Sequence, residues 1–176
     1  FAFTLVEVHV LLPSYVDRFL KMDGNIYASA EIYYSFGAIM AGLLILRIFK
    51  TFNTVFGIIV LMIVVSLAFY AMAIYNILWV FFLANFILGI TNAGVRILKT
   101  TYLFNHVPNN LIGRTNSVFG FLNTIVRMLL IGIFASPFYQ ISDNIRYGYF
   151  VGVIMMLIAI IPLIILYKRI LSVERN

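Results

Sequence analysis

Three ionisable side chains stand inside hydrophobic stretches where they could bind a solute or carry a proton. Glu7 lies in FTLVEVHVLL, Glu31 in YASAEIYYSFG and Arg127 in FLNTIVRMLLIG. Amides and small residues recur beside them at helical spacing. Asn85, Gly89, Asn92, Arg96 and Lys99 share one face, as do Asn116, Gly120, Asn123 and Arg127. Glu31, Ser35, Ala38 and Gly42 form a third stripe, and Thr4, Glu7, Leu11 and Ser14 a weaker fourth. Buried carboxylates, one guanidinium and several amides suit reversible binding and proton transfer better than bond-making chemistry. Glu7, Glu31, Asn85, Asn92, Asn123 and Arg127 are therefore the candidates for a solute or proton pathway.

Other chemistries lack their residues. There is no cysteine, so thiolate catalysis, disulfides and Cys-based metal sites are excluded. His9 and His106 are the only histidines, too few for a multi-histidine metal site. His9 stands two residues from Glu7, on nearly the opposite helical face, with no Ser or Asp beside it to form a nucleophilic pair. No phosphate-binding loop is present. Neither an enzyme nor a cofactor is expected.

The elements that must hold these side chains are membrane spans. The chain has 176 residues, 64% hydrophobic and only 10% charged, with a mean hydropathy of +1.07. A soluble domain carries roughly 25% charged residues. A span needs about 20 apolar residues, and six such stretches run near 1–16, 26–46, 54–72, 77–98, 116–138 and 147–167. The connections between them are short, the longest being TTYLFNHVPNNLIGRT, and no low-complexity linker divides the chain. The expected fold is all-α, one polytopic domain over 1–176. Position 1 is Phe, and the chain is expected to be a piece of something longer.

The net charge of +6 belongs with cytoplasmic loops rather than nucleic acid. With the amino end inside, Arg47, Lys50, Arg96, Lys99, Arg114, Lys168, Arg169 and Arg175 are all cytoplasmic. Arg18, Lys21 and Arg146 fall outside, offset by Asp17, Asp23 and Asp143. Both ends are thus expected in the cytoplasm, with Arg47, Lys50, Arg96, Lys99 and Arg114 setting topology or lining an inner gate. The cell membrane of a bacterium is the expected location.

Polar stripes cannot face lipid, where each unsatisfied polar group costs several kcal/mol. They are expected to face other helices or a wet cavity. The third and sixth stretches, TVFGIIVLMIVVSLAFYAM and GYFVGVIMMLIAIIPLIILY, carry no charge and are expected to face lipid on most sides. The order is polar, polar, oily, twice over, a three-plus-three pattern of the kind that inverted repeats produce in transporters. Gly37, Ala38, Ala41 and Gly42 are expected to form a close helix contact.

The six stretches, HVPNNLIGRTNSVFGFLN (106–123) and the pair LLPSYV and YYSFGAIMAGLL resemble the carboxy-terminal half of a major facilitator superfamily transporter. The resemblance covers essentially the whole chain. GLLILRIFKTF keeps Gly42, Arg47 and Lys50 of the family's basic loop but lacks its Asp, a departure that leaves Arg47 and Lys50 either a gating or a purely topological role. The resemblance implies that the first, second, fourth and fifth spans face the cavity or the other six-helix half of the same polypeptide. It implies no ATP site and a cycle of alternating access.

Depth sharpens the expectation for Arg127. It lies about 16 Å from the cytoplasmic edge at ~1.5 Å per residue, close to the middle of a ~30 Å core. A charge there costs at least ~2.5–3.5 kcal/mol and needs a partner or a cavity. Glu7, at a similar expected depth, is the expected partner. Glu31, ~7 Å below the outer edge, is a candidate proton-coupling acid at the cavity mouth. The function expected is proton-coupled export of a small amphipathic or lipophilic solute, with Arg127 favouring a negative group on it. The alternatives are a non-transporting receptor on a transporter fold, or an uptake carrier for an organic anion.

Overall fold

The structure, a computed structural model, describes residues 2–49, 53–140 and 144–174. Lys50, Asp143 and Arg175 lie outside the described residues. Every regular element among the described residues is helical. A first segment passes through α1 (Ala2–Val6), a π-helix π1 (Glu7–Leu11), α2 (Leu12–Ser14) and a second π-helix π2 (Tyr15–Leu20). Five long helices follow: α3 (Gly24–Ile48), α4 (Thr54–Ile74), α5 (Leu78–His106), α6 (Asn109–Phe134) and α7 (Ile145–Glu174). A single 3₁₀ turn, Pro137–Gln140, lies between α6 and α7.

All five long helices are long and apolar enough to cross a bilayer, α7 through its Ile145–Ile165 portion. The chain is an integral membrane protein. Large apolar side chains on the outside, such as Ile32, Leu43, Leu67 and Ile165, are solvated by lipid in that setting rather than exposed to water.

The first segment differs from the other five. Pro13 has no N–H to give, and its ring crowds the carbonyl one turn back. Just before it the helix widens, and the Leu12 N–H bonds to the Glu7 carbonyl five residues away. Phe3 packs on Phe69, and the Phe19 carbonyl accepts from Asn76, so the segment runs from Phe3 to Phe19 while its neighbour advances only from Phe69 to Asn76. It therefore does not run beside α4 residue for residue, and at its lower part, where Phe3 meets Phe134, it packs against α6. We call the end of the bundle that bears the turn at Lys21–Asp23 the upper end. Lys21 closes the segment in the left-handed conformation, φ 54°, and lets the Met22 N–H reach the Val16 carbonyl at 3.1 Å.

Helices α3 and α5 run parallel and pack most extensively. Tyr33 stacks on Phe82, Phe36 on Phe86, and Ile45 lies against Gly94. Gly37 and Gly89 make this approach possible: a Cβ on Gly37 would overlap the Phe86 carbonyl, and one on Gly89 the Tyr34 carbonyl. Small residues let helix backbones close up in this way. The expected contact at Gly37 and Ala41 is present, but Gly42 faces open space.

The oily third stretch is more enclosed than a helix facing lipid on most sides, though Ile63, Leu67 and Tyr70 remain exposed. Half of α4's most apolar portion is buried inside the protein, against 11% for α6. α4 lies between α5 and α7, and its apolar character serves contact with protein on two sides. The reverse holds for α6, which buries only Leu130 and Phe134 near its upper end, against the first segment. Polarity alone cannot separate a helix oily for lipid from one oily for neighbours.

Two further boundaries move. The connection at 100–115 is helical except at Val107 and Pro108. Pro108 disfavours the α conformation in the residue before it, and Val107 is extended, φ −106° and ψ 128°. At the lower end, Asn53 caps α4, its Oδ1 accepting from the N–H groups of Val55 (2.8 Å) and Phe56 (3.4 Å). Asn53→Ala is expected to cost about 1 kcal/mol of stability, measured by equilibrium unfolding in mixed detergent. No change would show that solvent or lipid headgroups replace the cap.

Candidate functional site

The structure brings part of the polar set together in a cleft of about 220 Å³ lined by Leu12, Glu31, Tyr34, Ser35 and Asn85. α3 supplies three of these, and α2 and α5 one each. Glu31 and Asn85 each lie about two turns, ~10 Å, from the upper start of their helices. The parallel packing of α3 on α5 is what holds them at one level.

Glu31 is exposed to the cleft, and its Oε1 accepts a 2.6 Å hydrogen bond from the Tyr27 hydroxyl one turn earlier. Asn85 is fully buried. Its Nδ2 donates to the Phe81 carbonyl at 2.9 Å, which leaves its Oδ1 with no hydrogen-bond partner. The amide cannot be turned over, because the Phe81 carbonyl can only accept. An unpartnered buried acceptor costs about 1–3 kcal/mol.

Asn92 is half-buried about two turns below Asn85 on the same face and donates from Nδ2 to the Tyr34 hydroxyl. It also lines a second cavity of about 70 Å³, together with Thr4, Thr91 and the apolar Met62, Val65, Val95 and Met156. The Tyr34–Asn92 bond thus links the wall of the cleft to a small chamber between the first segment, α4, α5 and α7. Tyr34 was not among the sequence candidates. It lies three residues beyond Glu31, on the same helical face, so the spacing rule that selected Glu31 and Ser35 would also have found it.

Glu7 is fully buried, and it does not meet Arg127. Its Oε1 accepts from the Tyr149 hydroxyl of α7 at 3.2 Å, and Oε2 has no partner. The reason is the level at which the first segment meets α6. Phe3 meets Phe134 at the upper end of α6, and Arg127 lies two turns below that contact, about 10 Å along the axis. Tyr149 carries no sequence signal as a partner, being 142 residues away. Glu7 opens the π-helical stretch, a backbone form frequent at functional sites.

The α6 stripe stays apart from the cleft. Asn116 and Gly120 are exposed, and Asn123 and Arg127 are half-buried. On α5, Arg96 is exposed beside Thr100 and Thr101 in a shallow lower groove. Lys99 stands over the Phe119 ring of α6, 5.3 Å from its centroid. Arg47 and Arg114 are exposed, and Lys50 lies outside the described residues. His9 is exposed. No group of three or more His, Cys, Asp or Glu side chains able to hold a metal occurs among the described residues.

No protein-family model, no curated protein and no solved structure matches this chain.

Proposed function

We propose that this chain is part of a secondary transporter of the major facilitator type, which moves a small amphipathic solute out of the cell by proton-coupled alternating access. The observation that carries the reading is the cleft at Glu31, Tyr34, Ser35 and Asn85, a polar recess formed by three elements of an otherwise apolar helical bundle. A concave recess with a few convergent polar groups is how proteins hold and orient small molecules. The uncovered polar stripe of α6, from Asn116 to Arg127, gives a second six-helix half a surface to meet. Both ends of the chain are cytoplasmic in this reading.

Glu7 and Glu31 divide the work. Glu31, open to the cleft, meets solute. Glu7, enclosed with Tyr149, holds a proton within the fold and gives it up when the first segment shifts against α7. Arg127 sits in a half-buried position two turns below the upper end of α6, within an apolar stretch where a cation is costly unless a cavity or partner compensates it. In the assembled transporter it faces the inter-half cavity.

The test is transport by the full-length protein in liposomes containing a pH-sensitive dye. Lipophilic cations, organic anions and neutral sugars are added in turn. A proton flux evoked by one class is expected, and Arg127→Leu is expected to reduce it by about tenfold or more, the effect of losing roughly 1.4 kcal/mol of a needed interaction. Silence across the panel in folded protein would overturn coupled transport, and full flux in Arg127→Leu would remove Arg127 from the mechanism.

A further inference from the structure

We infer that the cleft between α3 and α5 is a binding site for a small protonated amine, with Glu31 as counter-ion and Asn85 as the second acceptor. The inference rests on the transporter reading for its biological role and on the cleft alone for its chemistry.

The inventory of the lining decides the charge. Glu31 supplies a carboxylate with acceptor capacity beyond the one bond it takes from Tyr27. Asn85 adds a buried carbonyl oxygen with no donor to satisfy it. The Tyr34 hydroxyl already accepts from Asn92, and Ser35 offers one hydroxyl. Among the described residues, no Lys, Arg or His lines the cleft. Arg96 is the next basic residue along α5 from Asn85, three turns away, about 16 Å. An anionic group would face Glu31 with no cation among the described lining residues. A neutral solute would leave the carboxylate without a counter-charge. An ammonium group carries up to three donors and a positive charge, and meets both unmet needs at once.

Size and shape narrow the class. About 220 Å³ is below the roughly 300–1,000 Å³ of drug-sized pockets. Leu12 and the Tyr34 ring give apolar walls, and a ring face also attracts a cation. The fitting ligand is a compact amine with one apolar group. This reverses the charge expected from Arg127, because α6 contributes nothing to this cleft.

The experiment is equilibrium binding of tritiated 2-phenylethylammonium to the full-length protein in lipid nanodiscs, with empty nanodiscs subtracted. Competition is measured with 2-phenylethanol and 3-phenylpropanoate, which keep the ring and replace the ammonium by a neutral or anionic group. Saturable binding displaced by neither competitor is expected, weakened about tenfold or more in Glu31→Gln. Glu31 is exposed, so this variant is expected to fold. Asn85→Leu should also weaken binding, and where it fails to fold the competitor series on the unmodified protein still decides. Equal displacement by the alcohol, stronger displacement by the carboxylate, or unchanged affinity in Glu31→Gln would each overturn the site. Glu31-dependent ammonium binding without solute flux would support the site and overturn the transporter reading. Coupled flux of another solute without ammonium binding would overturn the site alone.

Discussion

Gly89→Val is expected to destabilise the protein by about 3 kcal/mol or more, the upper end of the overpacking range, because what the new side chain meets cannot move aside. A Cβ at Gly89 would fall on the Tyr34 carbonyl oxygen, 2.8 Å from the carbonyl carbon and 3.0 Å from the Ala38 nitrogen. These are backbone atoms of a helix, fixed by their own hydrogen bonds. Only separation of α3 from α5 relieves the overlap. That separation would also displace Glu31 and Tyr34 from Asn85 and open the cleft, so ligand binding should fall with stability. Gly42→Val is the control, since nothing lies within 4 Å of its Cβ position. It carries the same change in helix propensity without the overlap, and should cost well under half as much. Unfolding of both variants in mixed detergent measures the difference. Equal losses would show that helix propensity, not the close approach, explains the glycine.

The second large effect concerns Glu7 and Tyr149. Both side chains are fully buried, and the Tyr149 hydroxyl is the one hydrogen-bond donor to the carboxyl group among the described residues. Tyr149→Phe should cost about 1–3 kcal/mol by leaving that group with no partner. Glu7→Leu should cost less than a buried-to-cavity change, since it leaves only the smaller phenol hydroxyl unmatched. The double variant Glu7→Leu/Tyr149→Phe should regain most of the loss, because replacing both partners by apolar groups of similar shape is close to neutral. A double-mutant cycle with coupling above about 1 kcal/mol supports the pair. Additive losses would show that the two groups do not depend on each other. The same double variant separates structure from function: it should fold, and in liposomes it should lose proton coupling if Glu7 is the site that holds the proton. Retained coupling would move that role to Glu31.

Much of this protein is legible in its sequence, for reasons of composition and period. Too few charges to cover a water-facing surface, and apolar stretches of bilayer length, determine an all-helical membrane protein before any contact is known. Turn residues place most helix ends within a few residues. Helical spacing also identified three of the five cleft residues, Glu31, Ser35 and Asn85, because spacing is a property of a single helix. What the sequence could not determine was how helices meet. The pairing of Glu7 with Arg127 assumed that the first segment stands upright. Its backbone instead widens before Pro13, Phe3 meets the upper end of α6 at Phe134, and Glu7 reaches Tyr149 of α7. α4 buries more than its oily sequence suggests for a related reason: an oily helix is equally at ease in lipid and in protein, so only the neighbours it actually packs against decide. The cleft, likewise, exists because two glycines far apart in the chain allow α3 and α5 to run side by side in parallel. Composition and period act within one element and can be read along the chain. Crossing angles and partners depend on the fit between surfaces, and only the folded arrangement supplies it.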